Sequence, residues 1–487
     1  MMKRMKTPLA LLLAGLMAVT PVTAQINLPD LGDSAEAGFS SRDESRAGRE
    51  GVVWLRAQEA MLGDAELDDY LNRLSRRLAT ASPDPAQHYT LFAIDDGQIN
   101  AFAMPGGYIG VHTGLLLAAQ SESELASVIG HEMAHVSQRH IARQLEQQGM
   151  NQLLAIGGIL AAVLMASAGG GADAALAAAQ VGPGMAMQKQ LAYSRDFERE
   201  ADRVGMQTLT RAGFDPRAMA AFFDRMQKVN RASNNNALAF LRTHPVTSER
   251  MSEAQGRALS LPSRMPADST EFLLAREKAR LSRLDPQAAI SFYTDALKDG
   301  RYLSEMAQWY GLAGAQLKRN DLAAARTSAA RARALAPAPH PWLVSLDAAI
   351  AAAGGDYATS ARLYREGRQR FPDAPALAYG ELDSLIAAGQ TDAARQLAET
   401  AVSRRPEDPE LWARLARIYA DRDKLRYHFA LGQQLYYQQE ARPALEQFQL
   451  AREAPGDDFY LRSRLDARIR ELMPVVKEQI EAQRQRR

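Results

Sequence analysis

The chain has 487 residues, and 58 Lys and Arg against 57 Asp and Glu leave a formal net charge of +1, which argues against a general nucleic-acid binder. A mean hydropathy of −0.30 excludes a polytopic membrane protein, and a 46% hydrophobic share excludes wholesale disorder. With no cysteine and only eight His, thiol nucleophiles and thiolate-bound metals are excluded, and any metal must be held by His, Asp and Glu.

Residues 1–24 have the layout of a secretory signal peptide. Lys3, Arg4 and Lys6 form a positive front, Leu9 to Val19 an apolar run, and Val22-Thr23-Ala24 a small-residue end. Cleavage is expected after Ala24, and the run is too short for a comfortable transmembrane anchor. An exported chain without cysteine suits a Gram-negative periplasm. Residues 25–50 are polar and small and read as a loose arm. From Glu50 to Ala81, Val53, Leu55, Met61, Leu67, Leu71, Leu74 and Leu78 recur at helical spacing.

Tyr89 to Ile94 reads as a strand closed by Asp95-Asp96-Gly97. Ala101–Met104 and Tyr108–Val111 across Pro105-Gly106-Gly107 read as a second strand or a hairpin. Glu122 to Gln147 reads as one helix, with Ser121 and Glu124 in the pattern of a capping box. The apolar run 153–168 contains Gly157-Gly158 and ends in Gly169-Gly170-Gly171, which favours a buried or lid helix over membrane contact. A further helix is expected from about Ser194 to Ala212.

Beyond Pro262 the texture becomes Ala-, Leu- and Arg-rich. Small residues seven apart recur at Ala289/Ala296, Ala325/Ala332, Ser360/Gly367, Ala394/Ala401 and Ala444/Ala451. Most of these pairs are spaced by about 34–36 residues, the period of tetratricopeptide repeats. A longer last step implies an insertion around Asp421 to Arg426. Trp309, Trp342, Tyr379, Trp412 and Tyr427 fall where the first helix of each pair packs. Such stacks present a concave surface to peptides or partner proteins.

The chemistry concentrates in His131-Glu132-Met133-Ala134-His135. Residues four apart share a helix face, so both imidazoles can reach one ion, with Glu132 beside a water on it. A third ligand is expected from Glu198 or Asp202, themselves four apart, and spacing alone leaves the choice open. Glu200 reads as a solvated charge. His140 lies five beyond His135, off the ligand face, and is expected to be exposed. His88, His112, His340 and His428 lack paired partners and read as structural.

His-Glu-x-x-His followed by Glu-x-x-Ala-Asp resembles the gluzincins of the type 1 CAAX prenyl protease and HtpX-type peptidase family. The stretch Asn100 to Gly107 and the triplet Thr243-His244-Pro245, with Arg250 beyond it, match the same family. The resemblance implies one zinc per chain held by His131, His135 and Glu198, with Asp202 turned toward His131. It also implies a substrate-holding edge strand above the metal, here Asn100 together with Ile109, Gly110 and Val111. A signal, a peptidase and then repeats is similar to the layout of exported members of the family. In those, the counterpart of His244 is thought to fill the fourth zinc position and hold the enzyme latent. The residues alone leave His244 open as a turn residue or, with Arg250, as an oxyanion stabiliser.

The expectation is therefore a mainly α chain: a signal peptide over 1–24, an α+β zinc metallopeptidase domain with a small β-sheet over 25–262, and a tetratricopeptide-repeat solenoid over 263–487. Glu132 is the expected general base of an exported metalloendopeptidase acting on unfolded or extended proteins. The resemblance extends this to misfolded or stalled outer-membrane β-barrels, to help with their assembly, and to the barrel-assembly machinery as a partner of the repeats. The alternative is an assembly chaperone acting through the repeats with little proteolysis.

Overall fold

The computed structural model describes residues 39–148, 195–231, 238–262 and 264–485. The expected signal over 1–24 and the apolar run 153–168 lie outside the described residues.

The first helix, α1 (Ser41–Ala57), starts inside the expected arm. Ser40 caps it by accepting the Asp43 N–H, and Asp43 reciprocates on the Ser40 N–H. Its polar residues face outward while Ala47, Val52 and Leu55 are buried, so low hydrophobicity here marked amphipathicity rather than disorder. The single helix expected over 50–81 is two, because Glu59 and Gly63 both take positive φ. Asp64 then caps α2 (Ala65–Ala79) through the N–H groups of Glu66 and Leu67. Leu67, Leu71, Leu74 and Leu78 form its buried stripe.

Three strands follow: β1 (Thr90–Ile94), β2 (Ala101–Met104) and β3 (Tyr108–His112). Their order is β1-β3-β2, with β3 parallel to β1 (Ala93 opposite Val111) and antiparallel to β2 (Ala103 opposite Ile109). The tight turn Pro105–Gly107 joins β2 to β3. It needs glycine at 106 and 107, where φ is 77° and 89°. This topology corrects one expectation. Ile109, Gly110 and Val111 lie on the central strand, whose backbone groups are taken by neighbours on both sides, so they cannot receive a substrate strand. The edge beside the helices that follow the sheet is β2.

The chain then forms α3 (Thr113–Ala118), α4 (Glu122–Ser137), α5 (His140–Gln148), α6 (Arg195–Arg211), α7 (Arg217–Arg231), α8 (Leu238–Thr243) and α9 (Ser248–Ser260). Ser121 accepts the Glu124 N–H as expected, but the Glu124 carboxylate accepts from Gln120 instead of closing a capping box on Ser121. The expected helix over 122–147 breaks at Arg139, whose φ of 50° is left-handed.

From α10 (Thr270–Arg283) the chain is helical throughout, through eleven further described helices from α11 (Pro286–Asp299) to α21 (Phe459–Gln485). From α11 onward each packs chiefly on its sequence neighbours, while α10 packs on α2, α3 and α12 (Glu305–Lys318). The small residues seven apart are buried where paired helices cross. Several partner helices carry Pro at the first turn, where its missing N–H costs nothing. The long last step is an additional helix, α18 (Pro409–Tyr419), rather than a loop insertion at 421–426.

One buried core runs without interruption from Leu67 of α2 through β3 and α4 to Phe272, Ala279 and Trp342. The early repeats are thus packed onto the N-terminal helices and sheet. The array also curves back on them: Arg56 donates to the Gln438 carbonyl at 2.9 Å and lies 3.6 Å from Glu440.

Candidate metal centre

The site is built where α4 crosses α6. Nearly all of α4 is buried, which is why its sequence lacks a polar face. The crossing is close because both helices present glycine: a Cβ on Gly205 would lie 3.0 Å from the His131 nitrogen and 3.1 Å from the Gly130 carbonyl carbon. Backbone contact at this point brings Glu198 and Asp202, on α6, within reach of His131 and His135, on α4.

His131 Nε2 lies 3.0 Å from His135 Nε2 and 3.3 Å from His244 Nδ1. Glu198 oxygens lie 3.4 Å from His135 Nε2, 3.6 Å from His131 Nε2 and 3.0 Å from His244 Nδ1. All four residues are buried, and one ligand atom from each falls within 4.8 Å of the others. Ligands about 2.0–2.1 Å from a tetrahedral ion stand roughly 3.3 Å apart along the edges. The measured separations bracket that length. Three imidazole nitrogens aimed at one carboxylate, with no bulk water, is a donor set that suits a divalent cation better than a hydrogen-bonded cluster.

The surroundings fix these side chains. His131 Nδ1 lies 3.0 Å from Asp202 Oδ1, as the family resemblance implied. Arg250 clamps Asp202 with two hydrogen bonds of 2.7 and 2.8 Å, reaches Glu198 at 2.5 Å and donates to the Pro245 carbonyl. Its guanidinium is therefore turned to these carboxylates and not toward an open oxyanion position. Burial would raise the Asp202 carboxyl, but Arg250 and His131 outweigh it and hold the pKa below the usual range. Glu198 is likewise held well below its usual value, burial being overcome by His244 and His135.

Glu132 is wholly buried. Desolvation pushes its carboxyl up, opposed by His244 and His131. The Ala103 N–H of β2 faces it, and His244 Nε2 stands 3.3 Å from its Oε1. His244 thus touches the ligand cluster with one nitrogen and the expected base with the other. Asn100, at the start of β2, is buried, and its carbonyl accepts from the His112 N–H.

Two expectations are corrected. His140 is fully buried, because the left-handed turn at Arg139 folds the chain back and lays its ring beside His135. The imidazoles meet Nδ1 to Nδ1 at 2.8 Å. Glu200 is not simply solvated: it lies 3.2 Å from His140 Nε2 and accepts from Arg143 at 2.9 Å. Helical spacing cannot reveal this pair, and the only local hint is a His just beyond a helix break. The remaining His stand away from the cluster. His112 is sealed against Phe102, His340 accepts the Trp342 N–H, His428 pairs with Gln447, and His88 is exposed.

A buried His-Glu-x-x-His helix with an acidic residue from a second helix completing the donor set defines a metalloprotease. The family model for peptidase family M48 matches residues 65–258, and one for a tetratricopeptide repeat matches 351–418. The chain is 30% identical over 428 residues to the beta-barrel assembly-enhancing protease of Yersinia pestis, covering 85% of this chain and 86% of that one. It is 34% identical over 303 residues to the protein of that name from Escherichia coli K12, a match spanning 61% of each. With the mitochondrial metalloendopeptidase OMA1 of Arabidopsis thaliana the identity is 27% over 44% of this chain and 41% of that one. The chain belongs to peptidase family M48, in the group that carries tetratricopeptide repeats. Among the described residues no helix is long and apolar enough to cross a membrane.

Proposed function

We propose that the chain is a zinc metalloendopeptidase of the periplasm that cleaves misfolded or stalled outer-membrane β-barrel proteins and helps their assembly. The observation that carries the reading is the convergence of His131, His135 and Glu198 beside a buried Glu132. His131, His135 and Glu198 would hold the metal. Zinc held there would supply Lewis-acid polarisation of a scissile carbonyl and would lower the pKa of water to around 7.

Glu132 takes a proton from the attacking water and returns it to the leaving amine. Asp202 and Arg250 keep His131 oriented, so that its lone pair at Nε2 faces the centre. An extended substrate adds to β2, the sheet edge against α4, where backbone pairing favours unfolded chains over particular sequences. All four β2 residues are buried here, which fits a closed resting state. His244 supports the same reading, since it contacts both Glu198 and Glu132 and so fills the space between the ligand cluster and the base. The signal-like layout of residues 1–24 and the relatives' names support the compartment and the substrate class. The concave face of the repeats would dock partners, the barrel-assembly machinery among them.

The test is Glu132→Gln in the full chain. Cleavage of casein and of a misfolded barrel protein should fall by about 10²-fold or more, while zinc content stays at one per chain. Full activity in this variant would overturn the mechanism.

A further inference from the structure

A string of polar groups leads away from the centre behind His135. His135 Nδ1 meets His140 Nδ1 at 2.8 Å, His140 Nε2 meets Glu200 Oε2 at 3.2 Å, and Arg143 donates to the same oxygen at 2.9 Å. His140 is fully buried, and its ring stacks on Phe197 at 4.6 Å with an interplanar angle of 13°. Phe197 precedes Glu198 on α6, and Arg143 lies 4.7 Å from the Phe197 ring centroid. The ring plane of His140 is therefore set by the same helix that supplies the carboxylate ligand.

Proton positions along this string follow from the metal site. A His135 that offers its Nε2 lone pair to a metal carries its one hydrogen on Nδ1, so the bond to His140 has a single direction, with His135 donating. His140 must then accept at Nδ1, which places its own hydrogen on Nε2. That hydrogen is donated to Glu200, whose negative charge is held by Arg143. One tautomer for each ring fits these three contacts, and the string ends on an ion-paired carboxylate. His131 has the shorter version of the same arrangement, its Nδ1 facing Asp202 directly. Both imidazoles are thus backed by a carboxylate, one directly and one through an intervening imidazole.

We propose that His140 is a positioning residue for the metal centre: it fixes the tautomer and ring orientation of His135, with Glu200 and Arg143 as its anchor. The inference rests on the metal-centre reading above. Partners that orient a ligand imidazole are typically worth about 10–100-fold in metal affinity. Neither His140 nor Glu200 is expected to touch substrate, so their removal acts through the metal.

The test measures zinc affinity of the full chain by competition with a chromophoric chelator, together with the visible spectrum of the cobalt-substituted protein. It compares the wild type with His140→Leu, His140→Asn and Glu200→Gln. His140→Leu should bind zinc about 10–100-fold more weakly and perturb the cobalt spectrum. His140→Asn, whose side-chain oxygen can stand where Nδ1 stood, should recover most of that loss. Glu200→Gln should weaken binding severalfold; its side chain is 27% exposed, so the variant is expected to fold. Melting curves of the chelator-treated proteins read packing alone. Wild-type zinc affinity in His140→Leu overturns the proposal, as does a His140→Asn no tighter than His140→Leu. If His140→Leu does not fold, unchanged affinity in Glu200→Gln overturns it. A wild type that binds no zinc would instead bring down the metal-centre reading, and the wild-type arm shows that separately.

Discussion

The crossing of α4 and α6 gives a sharp test because two effects of one substitution oppose each other. Gly205→Ala adds a methyl group 3.0 Å from the His131 nitrogen and 3.1 Å from the carbonyl carbon and oxygen of Gly130. Relaxed contacts between such atoms stand at roughly 3.5–4.0 Å, so the helices must part by about 0.5 Å. The obstacle is backbone on the facing helix, which cannot swing aside as a side chain would. Metal sites tolerate only about 0.2 Å in each ligand distance, and Glu198 and the two imidazoles lie on opposite sides of the crossing. Zinc affinity should fall at least about tenfold, in line with other losses of ligand placement. Helix propensity alone works the other way, favouring Ala over Gly by about 1 kcal/mol. Gly256→Ala on the exposed face of α9, where an added Cβ meets nothing within 4 Å, isolates that gain and should raise Tm by about 1–2 °C. The assay is a chelator-competition titration alongside thermal melts of both variants with the metal removed. If Gly205→Ala gains stability as Gly256→Ala does and holds zinc as tightly as the wild type, the close crossing does not position the ligands.

Burial pushes His112 down to about 3, so the folded protein keeps it neutral while the unfolded chain protonates it below its usual 6.5. Its contribution is complete above pH 6.5 and is lost as pH falls toward 3, at up to roughly 1.4 kcal/mol per pH unit. In urea melts with chelator present, His112→Phe should flatten the decline between pH 6.5 and 5 by about 2 kcal/mol; an unchanged slope would refute this. Lys278 on α10 pairs with Asp64 at 2.7 Å and Glu66 at 2.8 Å across the seam between the repeats and α2. Lys278→Met strands two carboxylates there and should cost about 3 kcal/mol, read from the denaturation midpoint, with no shift arguing against a joined seam. His244→Ala should raise basal casein cleavage, because it frees Glu132 and clears the space beside Glu198. A lower rate would make His244 a catalytic group rather than a latch.

Much of the site was legible in the linear chain because helices impose fixed spacings. His131, His135, Glu198 and Asp202 each sit one turn from a partner on the same face, and with so few His the pairing stands out. The repeats were legible for the same reason: Ala289/Ala296 and its successors mark crossings that admit only small side chains. Edge and centre of the sheet were not legible. A hairpin made of β2 and β3 leaves either strand free to be the edge, and the parallel partner β1 arrives from outside the hairpin. Arg139 defeated periodicity in another way. A left-handed residue reverses the relation between sequence distance and facing direction, so His140 turns toward the ligands that helical spacing set it away from.

By itself the sequence determined the ligand types, the helices that carry them, the repeat architecture and the absence of thiol chemistry. These follow from local periodicity and from which side chains exist at all. Only the tertiary structure decided that Gly130 meets Gly205, that Arg250 serves Asp202 and Glu198, that His140 backs His135, and that the early repeats share a core with α2 and β3. Each of those is a contact between segments distant in sequence or redirected by a single backbone turn, and such contacts are chosen by packing the whole chain at once rather than by any stretch of it.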